Sequence, residues 1–175
     1  MEYLPRETDV LIVGGGPAGL ATALAARQQG LRAVVVDSAA PPIDKACGEG
    51  LMPDSLEVLQ QLGVTLDPSK YVPFQGIRFI GEISRVEAVF PFGTGAGVRR
   101  VTLHETLVEH AAEAGVHMAW QQRVSNVRDS YAYVNDHPVS FRWIVGADGG
   151  NSIMRRWAAL DAGEKVSPRF GFRRH

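Results

Sequence analysis

A short run near the N-terminus has the residue types and spacing to hold a phosphate. In Val13-Gly14-Gly15-Gly16-Pro17-Ala18-Gly19 the glycines fall as Gly14-x-Gly16-x-x-Gly19. Gly14 permits a tight turn out of a strand, Gly16 lets backbone approach a pyrophosphate, and Gly19 lets a helix pack closely on the strand. Pro17 and Ala18 open that helix, where the missing proline N–H costs nothing. The free N–H groups of a helix N-terminus, with its dipole, favour an anion. Alone, such a run is weak evidence; it gains force here from an apolar strand before it, a helix after it and an acid, Asp37, at the end of the next strand. Asp37, followed by Ser38, is placed to take both hydroxyls of a ribose. Its charge opposes a 2′-phosphate, so the pocket suits the ADP part of FAD or NAD and not NADP.

A second constellation is Val145-Gly146-Ala147-Asp148-Gly149-Gly150-Asn151-Ser152-Ile153-Met154-Arg155. An apolar strand delivers Asp148 and Gly149 to a turn, Ser152 can start a helix, and Arg155 follows a turn later. From these residues alone, a capping Asp and a ligand-binding Asp fit equally well. Two further stretches carry candidates: Gly97-Val98-Arg99-Arg100-Val101-Thr102-Leu103, and the loop Lys45-Ala46-Cys47-Gly48-Glu49-Gly50-Leu51. Gly48 and Gly50 would let backbone approach a flat ligand, while Cys47 also fits a buried small hydrophobe.

The elements that must position these residues follow from periodicity. Residues 10–13 and 33–36 are apolar on both faces, as buried parallel strands are. Residues 18–29 between them are rich in Ala and Leu and end at Gly30, which completes a βαβ unit. Asp54 with Glu57, and Thr102 with Glu105, read as capping boxes for two later helices, ended by Gly63 and Gly115. Between those helices lie short strand-like runs at 76–80 and 85–90. Residues 116–120 read as a third parallel strand; 124–128, 131–134 and 139–145 read as shorter strands, with a turn through Asn135-Asp136-His137-Pro138. A helix is expected over 151–159. Trp120, Trp143 and Trp157 are expected in the core, and His110 and His117 in surface or partly buried structural positions.

Composition excludes several classes. Of the 175 residues, 45% are hydrophobic and 21% charged, an ordinary globular balance, and the net charge of −1 leaves no basic stripe for nucleic acid. Any phosphate must be held by placed groups, not by bulk charge. The one cysteine excludes an internal disulfide and a CxxC metal site and fits a reducing, cytoplasmic setting. The apolar stretch at 10–26 is too broken by glycine and proline for stable membrane insertion. His104-Glu105 begins like HExxH, but Val108 stands at the second His position; no GxxxxGK[ST] or GxSxG is present. No metal site and no catalytic residue is assigned.

Gly14-Gly15-Gly16-Pro17-Ala18-Gly19-Leu20-Ala21 resembles the FAD fingerprint of the flavoprotein monooxygenase family with the para-hydroxybenzoate hydroxylase fold. The Gly146-Ala147-Asp148-Gly149 run resembles that family's DG motif, which implies FAD and NAD(P)H contacts for Asp148 and Gly149. Arg100, spaced as R-x-x-L to Leu103, resembles the arginine that reaches the cofactor in that family. The resemblance also implies a backbone contact to adenine near Val124. The loop from Cys47 and Gly48 onward is similar to the CGEGL loop of geranylgeranyl reductase-like members, which implies proximity to the flavin ring. The resemblance covers residues 8–157. Members are longer, with a downstream GD motif and a substrate-covering sheet, so residues 1–175 are expected to form the N-terminal portion of an FAD-binding domain. The expected fold is α/β, a Rossmann-type parallel sheet with a small antiparallel meander as crossover. The implied activity is NAD(P)H-dependent hydroxylation of a small-molecule substrate; the alternatives are a prenyl-type reductase and a nucleotide-binding module without independent catalysis.

Overall fold

A computed structural model describes residues 4–161. The run from Phe170 to His175, whose sequence reads as the start of a further strand, lies outside the described residues. The sheet is centred on β1 (Glu7–Val13), which pairs in parallel with β2 (Ala33–Asp37). Leu11, Ile12, Val35 and Val36 are almost fully buried there, because both faces of the sheet are covered. α1 (Pro17–Gln28) connects the two strands. β8 (His117–Trp120) adds in parallel beyond β2, and β11 (His137–Gly146) in parallel on the other side of β1. β9 (Val124–Arg128) and β10 (Tyr131–Val134) extend the β11 edge antiparallel, giving the order β8-β2-β1-β11-β10-β9. The expected parallel sheet with an antiparallel meander is thus present.

The long excursion between β2 and β8 carries β3 (Gly50–Leu51), α2 (Pro53–Gln61), β4 (Tyr71–Phe74), β5 (Gly76–Ile80), β6 (Arg85–Val89), β7 (Gly95–Val98) and α3 (Arg100–Glu113). β3, β7 and β4 form a small antiparallel sheet, while β5 and β6 form a separate hairpin. α1 and α3 cover one face of the main sheet. Leu20, Ala23 and Leu24 meet Leu103, Leu107 and Ala111 there in one cluster with Val10, Ile12 and Val35. The Arg27 guanidinium ties the two helices, donating to the Ala114 carbonyl at 2.8 Å. The other face packs Leu11, Val13, Val34 and Val36 with the meander and with Met154 of α4 (Ile153–Trp157).

Several local expectations need correction. α2 begins two residues earlier than an Asp54 cap would place it, at Pro53 with Met52 as N-cap, so Asp54 lies in the first turn and acts on the helix dipole instead of capping. α3 begins at Arg100, two residues before Thr102, because the Glu49 carboxylate accepts the Arg100 N–H at 2.8 Å. That cap comes from a distant loop, and no local pattern announces it. The β10–β11 turn is only Asn135-Asp136, both with positive φ, the requirement of a tight two-residue hairpin. Pro138 lies within β11, ahead of the pairing with β1 that runs from Ser140, so its missing N–H breaks no bond there. The last helix is shorter than 151–159. Trp143 and Trp157 are surface residues, with the Arg142 guanidinium stacked 4.2 Å from the Trp143 ring.

Candidate functional site

A cleft of about 580 Å³ opens where the carboxyl ends of β1, β2, β8 and β11 meet, the place where open α/β sheets hold ligands. Four loops build its wall. The β1–α1 turn and the start of α1 give Gly14, Gly16, Pro17 and Ala18; the end of β2 gives Asp37 and Ser38; the β8–β9 turn and the start of β9 give Arg123 and Val124; the β11–α4 turn gives Ala147, Asp148 and Gly149. Arg100 joins them from the start of α3.

The first turn is fixed by sterics. Gly14 has φ +112°, and a Cβ there would lie 2.3 Å from the Ala147 carbonyl oxygen. The β11 backbone therefore passes directly over it, joined by the Ala147 N–H to the Val13 carbonyl at 2.7 Å. A Cβ on Gly19 would stand 1.8 Å from the Gly14 oxygen, so helix and strand touch there through backbone. Gly16 differs: the nearest atom to its Cβ position is an Arg100 Nη, 4.0 Å away. Gly14 and Gly19 are required by the protein itself, whereas the space at Gly16 faces the cleft. This separates glycines that serve packing from one that leaves room for a ligand.

Asp37 does more than face the cleft. One carboxylate oxygen accepts the Gly15 N–H at 2.7 Å and the other the Ala39 N–H at 2.8 Å. Each oxygen keeps a lone pair for a further donor. Asp148 spends its carboxylate on α4: Ser152 Oγ, the Ile153 N–H (2.7 Å) and the Met154 N–H (3.1 Å) all donate to it. Burial pushes its pKa up, but these donors outweigh that and hold it below its ordinary 3.8. Ser152 is the N-cap of α4, accepting the Arg155 N–H at 2.9 Å. Asp148 is therefore a helix-capping residue that also borders the cleft.

Arg100 is buried and Arg99 exposed, which separates the two candidates. Cys47 and Gly48 are exposed and are not among the cleft-lining residues; Cys47 is not a buried hydrophobe, and its sulfur accepts the Glu49 N–H at 3.4 Å. Lys45, from the same loop, does line the cleft, as do Arg123 and Arg156. Arg155 turns away to Asp161 and the Gly150 carbonyl. Among the described residues four cations thus line the cleft against two carboxylates, Asp37 and Asp148, in a chain whose formal net charge is −1, and this local excess of positive charge suits a diphosphate. Sequence reading missed Lys45, Arg123 and Arg156, since lone basic residues in loops carry no motif.

It also missed His104, which is completely buried. Its Nε2 lies 2.8 Å from the Gly15 carbonyl oxygen, and the Ile43 N–H donates to its Nδ1 at 3.4 Å. Burial pushes its pKa below the ordinary 6.5. The ring sits 5.9 Å from that of Trp120, which fills the slot a Gly15 side chain would take. Among the described residues no cluster of His, Cys, Asp and Glu could hold a metal, and no helix is long and apolar enough to cross a membrane.

The model of the FAD binding domain family matches residues 7–171. A menaquinone reductase of Mycolicibacterium smegmatis is 33% identical over 159 residues, covering 85% of this chain and 39% of the relative. A 3-(3-hydroxy-phenyl)propionate/3-hydroxycinnamic acid hydroxylase of a Mycobacterium species is 30% identical, covering 93% of this chain and 31% of the relative. The fold matches that of PqsL from Pseudomonas aeruginosa with a TM-score of 0.81 at 22% identity, over 93% of this chain and 48% of that one. The chain therefore spans less than half the length of each of these proteins.

Proposed function

The chain belongs to the FAD binding domain family, and on that premise we propose that the cleft binds FAD for an NAD(P)H-dependent monooxygenase acting on a small organic molecule in the cytoplasm. One observation carries the reading. The glycine turn, Asp37, Arg100, Val124 and Asp148 come from five separate parts of the sequence and all border one cleft. The fit rests on this chain's own geometry, since the Cβ position of Gly16 is open beside the Arg100 guanidinium.

In this reading the N-terminus of α1 and the Arg100 guanidinium hold the diphosphate, with Lys45 and Arg156 adding positive charge. Asp37 accepts from the ribose hydroxyls while its bonds to Gly15 and Ala39 keep it in place. The backbone beside Val124 meets the adenine. Asp148 and Gly149 shape the wall after β11, with Asp148 held anionic by its donors. FAD held here would supply the redox chemistry: reduced by hydride from NAD(P)H, it would activate O2, with one oxygen atom going to the substrate and the other leaving as water, or would deliver hydride, together with a proton, to an alkene. Cys47 and Gly48 belong to a loop exposed at the cleft's edge and take part only if the flavin ring extends to that loop.

A second reading, a prenyl-type reductase, is favoured by the Cys47-Gly48-Glu49-Gly50-Leu51 loop and by the relative named menaquinone reductase. A third is a nucleotide-binding module without turnover. Anaerobic mixing of the FAD-loaded chain with NADH or NADPH separates them. Bleaching of the flavin bands, reversed by air with transfer of one oxygen atom to an added small aromatic substrate, supports the monooxygenase. Bleaching reversed only by a prenylated alkene supports the reductase. Bound flavin that never bleaches leaves the binding module.

A further inference from the structure

We infer that His104 is a positioning residue that aims the Gly16 N–H into the cleft; this rests on the reading that the cleft takes a diphosphate. Gly15 is held on three sides. Its N–H is donated to Asp37 at 2.7 Å, its carbonyl meets His104 Nε2 at 2.8 Å, and the Trp120 ring occupies its side-chain slot. β2, α3 and β8 each supply one of these three groups. Because Nδ1 accepts the Ile43 N–H, the ring proton must sit on Nε2, which donates to the Gly15 oxygen. A trans peptide points its C=O and the following N–H in opposite directions. The Gly15 carbonyl is turned inward to a fully buried ring, so the Gly16 N–H is turned outward, at a residue that lines the cleft.

The ring must be neutral for this, since an imidazolium has no acceptor for Ile43. Burial and the nearby Arg100 cation favour the neutral form; the Gly15 carbonyl, Asp37 and Glu105 oppose it, and the net direction is a lowered pKa. Through Ile43 the same ring anchors the loop that carries Lys45, so one side chain registers two walls of the cleft. A glycine turn without this anchor is free to flip the Gly15–Gly16 peptide, which would replace a donor with a carbonyl facing the phosphate.

The test compares the 175-residue chain with His104→Gln, whose amide can donate to Gly15 and accept from Ile43, and His104→Leu, which can do neither. FAD affinity is read by fluorescence titration, and amide hydrogen exchange is followed at Gly15, Gly16 and Ile43 in the ligand-free protein. The Leu variant is expected to bind FAD about tenfold more weakly and to exchange faster at Gly15 and Ile43, with Gln restoring most of both. A folded Leu variant with unchanged affinity and unchanged exchange would overturn the inference. If the natural chain binds no FAD, the cofactor reading fails and the exchange pattern alone decides on His104. If the Leu variant does not fold, nitrogen NMR of the natural chain decides: a neutral ring protonated at Nε2 is expected, and an Nδ1-protonated or doubly protonated ring near neutral pH would contradict it.

Discussion

The parallel half of the main sheet and the β5–β6 hairpin are both rich in apolar residues, but only the first has something to bury them against. In β1 and β2 the alternate side chains enter two cores, and Leu11, Ile12 and Val35 have no exposure at all. In the hairpin, register puts Ile77 and Phe79 of β5 on one face with Ala88 and Val86 of β6. Phe79 remains 69% exposed and Val86 66%. The opposite face carries the exposed Arg78–Glu87 ion pair, which contributes little. A two-stranded hairpin is marginal alone, and an apolar face of this kind marks an interaction surface. The parallel half thus buries both of its apolar faces within the chain, whereas among the described residues the hairpin's apolar face has no such partner.

The difference can be sharpened by substitution. Gly19→Ala places a methyl against the Gly14 carbonyl and should destabilise the fold by roughly 3 kcal/mol, read as a lower urea midpoint, with FAD binding lost as well. Gly16→Ala should divide these effects: its Cβ meets nothing closer than 4.0 Å, so stability should change by less than about 1 kcal/mol while FAD binding falls. If Gly16→Ala unfolds the chain instead, the distinction between packing and ligand glycines is wrong. Asp37→Ala removes the acceptor for Gly15 and Ala39, and FAD affinity should drop on the order of tenfold to a hundredfold in a fluorescence titration.

Acid should loosen the same half. Asp148 has a lowered pKa in the fold. Above its ordinary 3.8 the anion is present in both states and the capping contribution is complete; it is lost as pH falls through the depressed folded value. His104 acts in a higher window. Unfolded chains take up its proton below about 6.5 while the buried ring does not, so stability falls as pH drops from there toward the folded pKa. Thermal melts from neutral to acid pH should show both limbs, with Asp148→Asn removing the lower and His104→Gln the upper. The smallest effect belongs to the hairpin. Phe79→Lys should alter stability by no more than about 0.5 kcal/mol and leave FAD binding intact, while reducing any self-association seen by light scattering.

Sequence reading worked best where the physics is local. The run Gly14 to Gly19, the doubly apolar strands and Asp37 are adjacent in the chain, so their arrangement could be read directly. Asp148 and Arg100 were singled out through a family resemblance and both line the cleft, although the capping duty of Asp148 toward Ser152, Ile153 and Met154 was only one of two open readings. What stayed hidden is joined across distance. Glu49 caps α3 from 51 residues away, and His104 reaches Gly15 across 89. Lys45, Arg123 and Arg156 converge only after folding. The hairpin's alternation was visible as strand, but not that its apolar face would be open.

The central claim is that the cleft holds FAD, and the direct measurement is the visible absorption spectrum of the purified chain after incubation with FAD and desalting, with Gly16→Ala beside it. The account predicts flavin bands retained by the natural chain, displaced by excess ADP and diminished in Gly16→Ala. A folded chain that retains no flavin in any condition, or one whose retained flavin is indifferent to ADP and to Gly16→Ala, would contradict it.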